Sequence, residues 1–385
     1  MNVPTVVLIS NDVVPGMGLP VAAPGLRVFG LGEGLRRHGF RVVTVVNEAP
    51  VRSLWSGEGL PPLPPDTRVV PTGEIGDFVT RQAPAIVVVT NYRSQLYGLR
   101  PSPGLHPIID LFAPKMLEVV CNPDRTDRTQ ALAALRERKL RAMAAAEGFI
   151  VNGTKKVPYF LAWLLQAGHD PLTTPLEPVF MCVPSHFPAG GSARTGLRFV
   201  VAGYLQGWSL PGVWLDHLVD RLVPPRVTLD LVLPAHWGRR RQAGTSNHRV
   251  AGLAGRPGVT VHGMMAYDDY LDFMGQVDVA VDLFEHTLER EYAVVTRSVV
   301  ALACGVPVIH PPFTEVSPLI AAFDAGWLVD PADLGAVDAV IDAIIGHPEV
   351  VAAKAANARR LWQEVLDPEV AVRPLVKLAR RLAAK

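Results

Sequence analysis

Short apolar runs, each followed by a helix-like segment, recur along this chain and constrain its fold more than any other feature. The first, Thr5–Ser10 (TVVLIS), has no polar alternation, as in a strand buried on both faces. A Gly/Pro-rich loop over 11–24 then leads into an amphipathic segment, residues 25–38. Its apolar positions are Leu26, Phe29, Leu31 and Leu35, and Arg36, Arg37 and His38 fill the last turn, where cations suit the helix dipole. Gly39 closes the helix and 41–46 begins the next strand. A strand, a helix and a strand in so short a span require a crossover, hence a parallel sheet. Further strands are predicted at 68–70, 85–90, 107–111, 149–152 and 177–183, with helices at 129–146 and 159–168 and a surface loop at 51–65.

Composition breaks at 184–195 (PSHFPAGGSART), which reads as a linker. The same rhythm then restarts. Strands are predicted at 197–202, 227–233, 259–262, 277–283, 306–309 and 326–329, and helices at 211–222, 267–274, 298–303, 333–345 and 350–366. Two domains are therefore expected, 1–190 and 191–367, with a final helix over 368–385 able to return to the first. The fold class is α/β: two Rossmann-like, doubly wound domains with an interdomain cleft. A length of 385 residues with 49% hydrophobic content supplies two cores.

Charge and cysteine usage remove several function classes. A net charge of +1 lacks the basic field of a nucleic-acid binder. Three unpatterned cysteines, Cys121, Cys182 and Cys304, suit a reducing compartment and suggest no metal site. The first ten residues lack a basic segment and a long apolar core, and no run of about 18 apolar residues exists. A cytoplasmic protein without an integral membrane segment is expected, with a homodimer possible. No DxD pattern occurs, so no metal is expected.

Polar chemistry concentrates in FEHTLEREYAVVTRSVVALACGVPVI, residues 284–309. Glu285, Glu289, Glu291, Arg290 and Arg297 crowd one loop between a strand and a helix, on the side of a parallel sheet where ligands bind. Thr296 and Arg297 open the helix, so a hydroxyl, a guanidinium and backbone N–H groups converge in a good phosphate site. Arg239, Arg240 and Arg241 follow another strand end and offer a second cationic patch. Gly16 and Gly18, flanking Met17, would make a mobile loop whose backbone a ligand can approach; their spacing is not GxGxxG.

The order of these elements resembles glycosyltransferase family 4, in particular a bacterial branch of it. ISNDVVPGMGLPVAAPGLR with GLGEGLRRHGF is similar to that family's first strand, glycine loop and first helix. IIDLFAPKMLE resembles its DLYDP-type segment, and GMMAY, residues 263–267, its W-V-P-Y stretch. ERE-x4-TR followed by ACGVPVI resembles E-T-x4-R-T-R and W-A-G-L-P-V-V. Two departures stand out. The second of the family's paired glutamates falls on Val300, and the first loop of the second domain, AGYLQGWSLPG, lacks the usual Arg and Lys.

The resemblance implies a metal-independent, retaining GT-B hexosyltransferase. It would need no cofactor and would use a nucleoside diphosphate sugar as donor substrate and a small-molecule (natural product) or glycan as acceptor. Glu289, Arg297 and Asp110 become the catalytic candidates, Asp110 on the acceptor side. Gly203, Tyr204, Arg239, Arg240, Gly263, Met265, Tyr267, Glu291 and Thr296 become donor contacts. Asn11, Gly16, Met17, Gly18, Arg27, Asn91 and Tyr92 would line the acceptor site. Val300 and the missing Arg/Lys pair favour the alternative, a catalytically inactive nucleotide-sugar-binding homologue or scaffold.

Overall fold

The structure, a computed structural model, describes residues 4–94, 96–187, 196–204, 211–234 and 252–385. The chain forms two compact units. One comprises Met1–Val120, Arg125–Pro184 and Leu366–Lys385; the other comprises Cys121–Asp124 and Ser185–Val365.

The first unit is built on seven parallel strands: β1 Thr5–Ser10, β2 Arg41–Asn47, β3 Thr67–Val70, β4 Ala85–Thr90, β5 Leu105–Asp110, β6 Gly148–Val151 and β7 Leu176–Pro178. Their order is β3-β2-β1-β4-β5-β6-β7, with Thr5 level with both Arg41 and Ala85. β1 and β4 lie at the centre and are apolar on both faces because helices cover both. Val7, Ile9, Val43, Val45, Val87 and Val89 pack with Ile75 and Val79. Ile109, Phe149 and Val151 pack with Phe160 and Leu164.

The Ala23–Arg37 helix has Pro24 in its first turn and Arg36 and Arg37 in its last. Its glycines serve close packing. A β-carbon at Gly30 would stand 1.9 Å from the Cys182 carbonyl, and one at Gly34 would stand 2.2 Å from that of Pro368. The C-terminal helix, Arg373–Ala383, buries Leu375, Val376, Leu378, Ala379 and Leu382 in this unit.

Several boundaries differ from the sequence reading. The helices run Arg128–Ala144 and Lys156–Gln166. A helix, Glu48–Leu54, begins ahead of the expected loop and runs into it, capped by the Asn47 side chain accepting from Ala49 N. The strand expected at 177–183 ends at Pro178. Beyond it, the carbonyls of Val179 and Phe180 accept from the Arg27 guanidinium at 2.8 Å. A side chain thus takes the carbonyls that a longer strand would offer a neighbour.

The second unit has six parallel strands: β8 Leu197–Ala202, β9 Val227–Val232, β10 Val259–Val261, β11 Val279–Val281, β12 Val308–His310 and β13 Gly326–Leu328. Their order is β10-β9-β8-β11-β12-β13. Phe199, Val201, Leu229, Leu231, Val279 and Val281 meet Trp214, Leu218, Val337 and Ile341 in one core. The helix leading into β12 is Thr296–Ala303, closed by Gly305 at φ +73°. A helix not anticipated from sequence, Ser317–Phe323, follows β12. In each sheet the winding reverses beside the first strand, between β1 and β4 and between β8 and β11. Ligand crevices of open α/β sheets lie outside the carboxyl ends of the strands at such points.

Candidate functional site

The carboxyl edge of β8 and β11 carries a buried polar chain. Asp282 directly follows β11, is 3% exposed, and is fixed by its N–H donating to the Ile309 carbonyl at 2.9 Å. Arg297 Nε donates to Asp282 Oδ1 at 2.6 Å. The Ser298 hydroxyl donates to Asp282 Oδ2 and lies 3.1 Å from His310 Nδ1. His310 Nε2 is 2.7 Å from Thr314 Oγ1, and Ser317 Oγ donates to the Pro311 carbonyl at 2.7 Å. One protonation pattern satisfies all of these contacts for a neutral imidazole. Because the Ser298 proton goes to Asp282, the serine oxygen accepts from His310 Nδ1–H, which leaves Nε2 of the neutral ring as an acceptor facing the Thr314 hydroxyl, whose one proton also has Ser317 Oγ within 2.9 Å. Burial favours that neutral form, pulling the His310 pKa down to about 4 against the attraction of Asp282.

Arg297 is held on three sides. Its guanidinium lies 3.8 Å from the centroid of the Phe284 ring, and Asp282 takes its Nε edge. It also lies over Gly203, where a β-carbon would stand 2.5 Å from Nη1. Gly203 has φ +123°, so its glycine identity serves both an unusual backbone and the arginine above it. The Arg297 side chain keeps 15% of its surface exposed. Burial lowers its pKa, Asp282 opposes the shift, and a guanidinium stays charged throughout. Thr296, half-buried, starts the helix behind Val295, which provides no side-chain cap.

Other residues expected here are placed as follows. Tyr204 follows Gly203 and is half-buried. Glu289 is 7% exposed in a short helix, Leu288–Glu291, with Oε2 3.5 Å from Arg290 Nε. Glu291 pairs with His286 at 2.8 Å, while Glu285 is exposed. Gly263 is exposed, Met265 half-buried, and Tyr267 is 7% exposed at the start of the Tyr267–Met274 helix. Val300 is packed at 2% exposure, an apolar core residue. Arg239, Arg240 and Arg241 lie outside the described residues.

Two expectations in the first unit meet a particular arrangement. Arg27 and Asp110, expected on the acceptor side, are buried against each other. They form a sealed ion pair, 0% and 2% exposed, through Nε–Oδ2 at 3.0 Å and Nη2–Oδ1 at 3.2 Å. The two carbonyls on Arg27 complete a set that has no opening, because unpaired charge is expensive in a core. The glycine loop is packed instead of loose: Val13, Val14 and Met17 are buried, and Met17 Sδ accepts from Val14 N at 3.4 Å. Only Gly16 and Gly18 are exposed around it, at φ +84° and +65°. Asn11 Oδ1 accepts from the Tyr97 hydroxyl at 3.0 Å. Asn91, at φ +54°, accepts from Ala113 N at 3.4 Å, and the Tyr92 ring lies 5.5 Å from the Arg138 guanidinium.

Sequence reasoning missed Asp282, Ser298, His310 and Asp12. Asp12 follows β1, is 3% exposed, and burial pushes its carboxyl pKa up to about 8, although Val13 N donates to it. A signal for Asp282 existed. IIDLF and VAVDLF each place Asp-Leu-Phe at the end of an apolar run, and each aspartate pairs with a distant arginine. Among the described residues, no group of three or more His, Cys, Asp or Glu is placed to hold a metal. No described helix is long and apolar enough to cross a membrane.

No protein-family model matches the chain, and no curated protein matches it in sequence. Solved structures do match in fold. Sucrose-phosphate synthase of Thermosynechococcus elongatus is 16% identical, with 99% of each chain covered and a TM-score of 0.66. Anabaena HepE, in complex with UDP and glucose, is 15% identical over 99% of this chain and all of that one, with a TM-score of 0.61. An α-glucosyltransferase in complex with UDP and a DNA 13-mer is 10% identical over 99% of each chain, with a TM-score of 0.60. The likeness spans both units, and with the two parallel sheets it establishes the fold: two Rossmann-like domains of the GT-B type.

Proposed function

We propose that this chain is a glycosyltransferase that uses a nucleoside diphosphate sugar, with the diphosphate held at the carboxyl edge of β8 and β11. The observation that carries this reading is the Arg297 guanidinium, fixed over Gly203 at a helix N-terminus beside the reversal point of the sheet. Leaving-group charge develops on the diphosphate as the anomeric C–O bond breaks, and a preorganised cation there stabilises it without a metal. Thr296 and the first helical N–H groups add donors to the same anion. UDP in the HepE and α-glucosyltransferase complexes makes UDP the first nucleotide to test.

Retention of configuration follows the resemblance to family 4. The departing phosphate oxygen takes the acceptor proton as the new C–O bond forms on the same face of the sugar. Glu289 and Glu291 are assigned to the sugar hydroxyls, which requires the Glu289–Arg290 contact to open. Tyr204, Gly263, Met265 and Tyr267 are assigned to the nucleoside. The acceptor, a natural product or glycan, is assigned to the first unit, at Asn11, Gly16, Gly18, Asn91 and Tyr92.

The test is Arg297→Ala. Wild-type protein should bind UDP and transfer sugar from a UDP-sugar; the variant should keep its fold and lose transfer by about a hundredfold or more, the order found for removing one charge-stabilising donor. Near-wild-type turnover in the variant would remove the phosphate assignment. A second reading, an inactive nucleotide-sugar binder, draws on the buried Val300. Binding of UDP without turnover on any acceptor would select it.

A further inference from the structure

Among the described residues, two Arg–Asp pairs lie at the carboxyl end of a strand, unlike Arg198–Asp230, whose aspartate lies within β9, and the two differ in one respect. Arg27 is fully enclosed and its pair is closed by two carbonyls. Arg297 retains exposed surface, and its aspartate is braced from behind by Ser298, which is in turn bonded to His310 and through it to Thr314. A buried ion pair is a poor source of stability, since desolvation offsets most of its attraction. β11 itself is Val-Ala-Val, so an apolar residue would suit position 282 if packing alone mattered. The bracing has a directional result. It fixes the plane of the Asp282 carboxylate, and that plane fixes which edge of the Arg297 guanidinium is occupied.

We propose that Asp282, braced by Ser298 and His310, is the positioning residue that holds Arg297 in register for the donor diphosphate. Asp282 touches neither donor nor acceptor; it acts through the arginine. This rests on the sugar-transfer reading, and the test separates the two.

Dissociation constants for UDP and unliganded melting temperatures are measured for wild type, Asp282→Asn, Arg297→Ala and the double variant. Ser298→Ala, alone and with Arg297→Ala, serves as a second probe if Asp282→Asn does not fold. Asp282→Asn should weaken UDP about tenfold in the Arg297 background and less than twofold in the Arg297→Ala background, the signature of a residue acting through its neighbour. Ser298→Ala should give a smaller loss, about threefold, that also vanishes with Arg297→Ala. Asp282→Asn should lower the unliganded melting temperature in the Arg297 background, where it breaks the ion pair, and less or not at all in the Arg297→Ala background, where the carboxylate has already lost its arginine partner. If Asp282→Asn leaves UDP binding unchanged, or weakens it equally in both backgrounds, the positioning role is wrong while the phosphate assignment stands. If wild type ignores UDP, GDP, dTDP and ADP alike, or Arg297→Ala binds as wild type does, the phosphate assignment fails and the positioning role with it.

Discussion

Replacing Gly203 by alanine perturbs the Arg297 site without touching a charged group. The new β-carbon would stand 2.5 Å from Nη1 and 3.0 Å from Cδ of Arg297. Ordinary contact begins near 3.4 Å, so the guanidinium must retreat by about 0.9 Å. Its bond to Asp282 is 2.6 Å long and cannot follow that retreat unchanged, because Asp282 is anchored to β12 and to Ser298. A guanidinium so displaced no longer meets the bound diphosphate squarely, and losing a well-aimed hydrogen bond between charged groups there costs about 1.5–3 kcal/mol, roughly ten- to a hundredfold in affinity. A separate cost falls on folding. Alanine at φ +123° is strained by about 1–3 kcal/mol whether or not ligand is present. Calorimetric titration with UDP reads the first effect and thermal unfolding reads the second. In an Arg297→Ala background the collision disappears, so Gly203→Ala should no longer alter UDP binding but should still lower the melting temperature. A UDP dissociation constant within about twofold of wild type, in a Gly203→Ala protein whose melting temperature has fallen, would refute the claim that this guanidinium holds the phosphate.

Two further outcomes concern the first unit. Lys139 is 5% exposed, with its ammonium 3.9, 4.6 and 5.2 Å from the ring centroids of Trp163, Phe160 and Tyr159; burial pulls its pKa from 10.5 down to about 7. The folded state therefore binds this proton less tightly than the unfolded state, so the destabilisation is fully present below pH 7 and fades as pH rises towards 10.5. Between pH 6 and 9 wild type should gain stability relative to Lys139→Met by on the order of 2–3 kcal/mol, less what the three rings return. Parallel melting-temperature profiles for the two proteins would exclude this. Gly34→Ala would place a methyl 2.2 Å from the Pro368 carbonyl and against Val372. It should loosen the C-terminal helix, read as faster proteolytic trimming of the last 20 residues; an unchanged cleavage pattern would show that the helix does not depend on this contact.

What the chain's local sequence determined was the succession of elements and the kind of sheet they form. TVVLIS and AIVVVT are strands because β-branched runs without polar alternation suit strands covered on both sides, and that property needs only neighbours to express it. The helix opening at Thr296 and the glycine stop at Gly305 were legible for the same reason. Pairings across long separations were not. Arg27 meets Asp110 83 positions away, and Gly203 leaves room for Arg297 far along the chain; no spacing rule encodes either. Nor does sequence show that Met17 turns inward, or that Arg297 already has a carboxylate beside it. Those facts follow from the order in which strands lie side by side, since only that order brings a given side chain to a sealed interior or to an open edge.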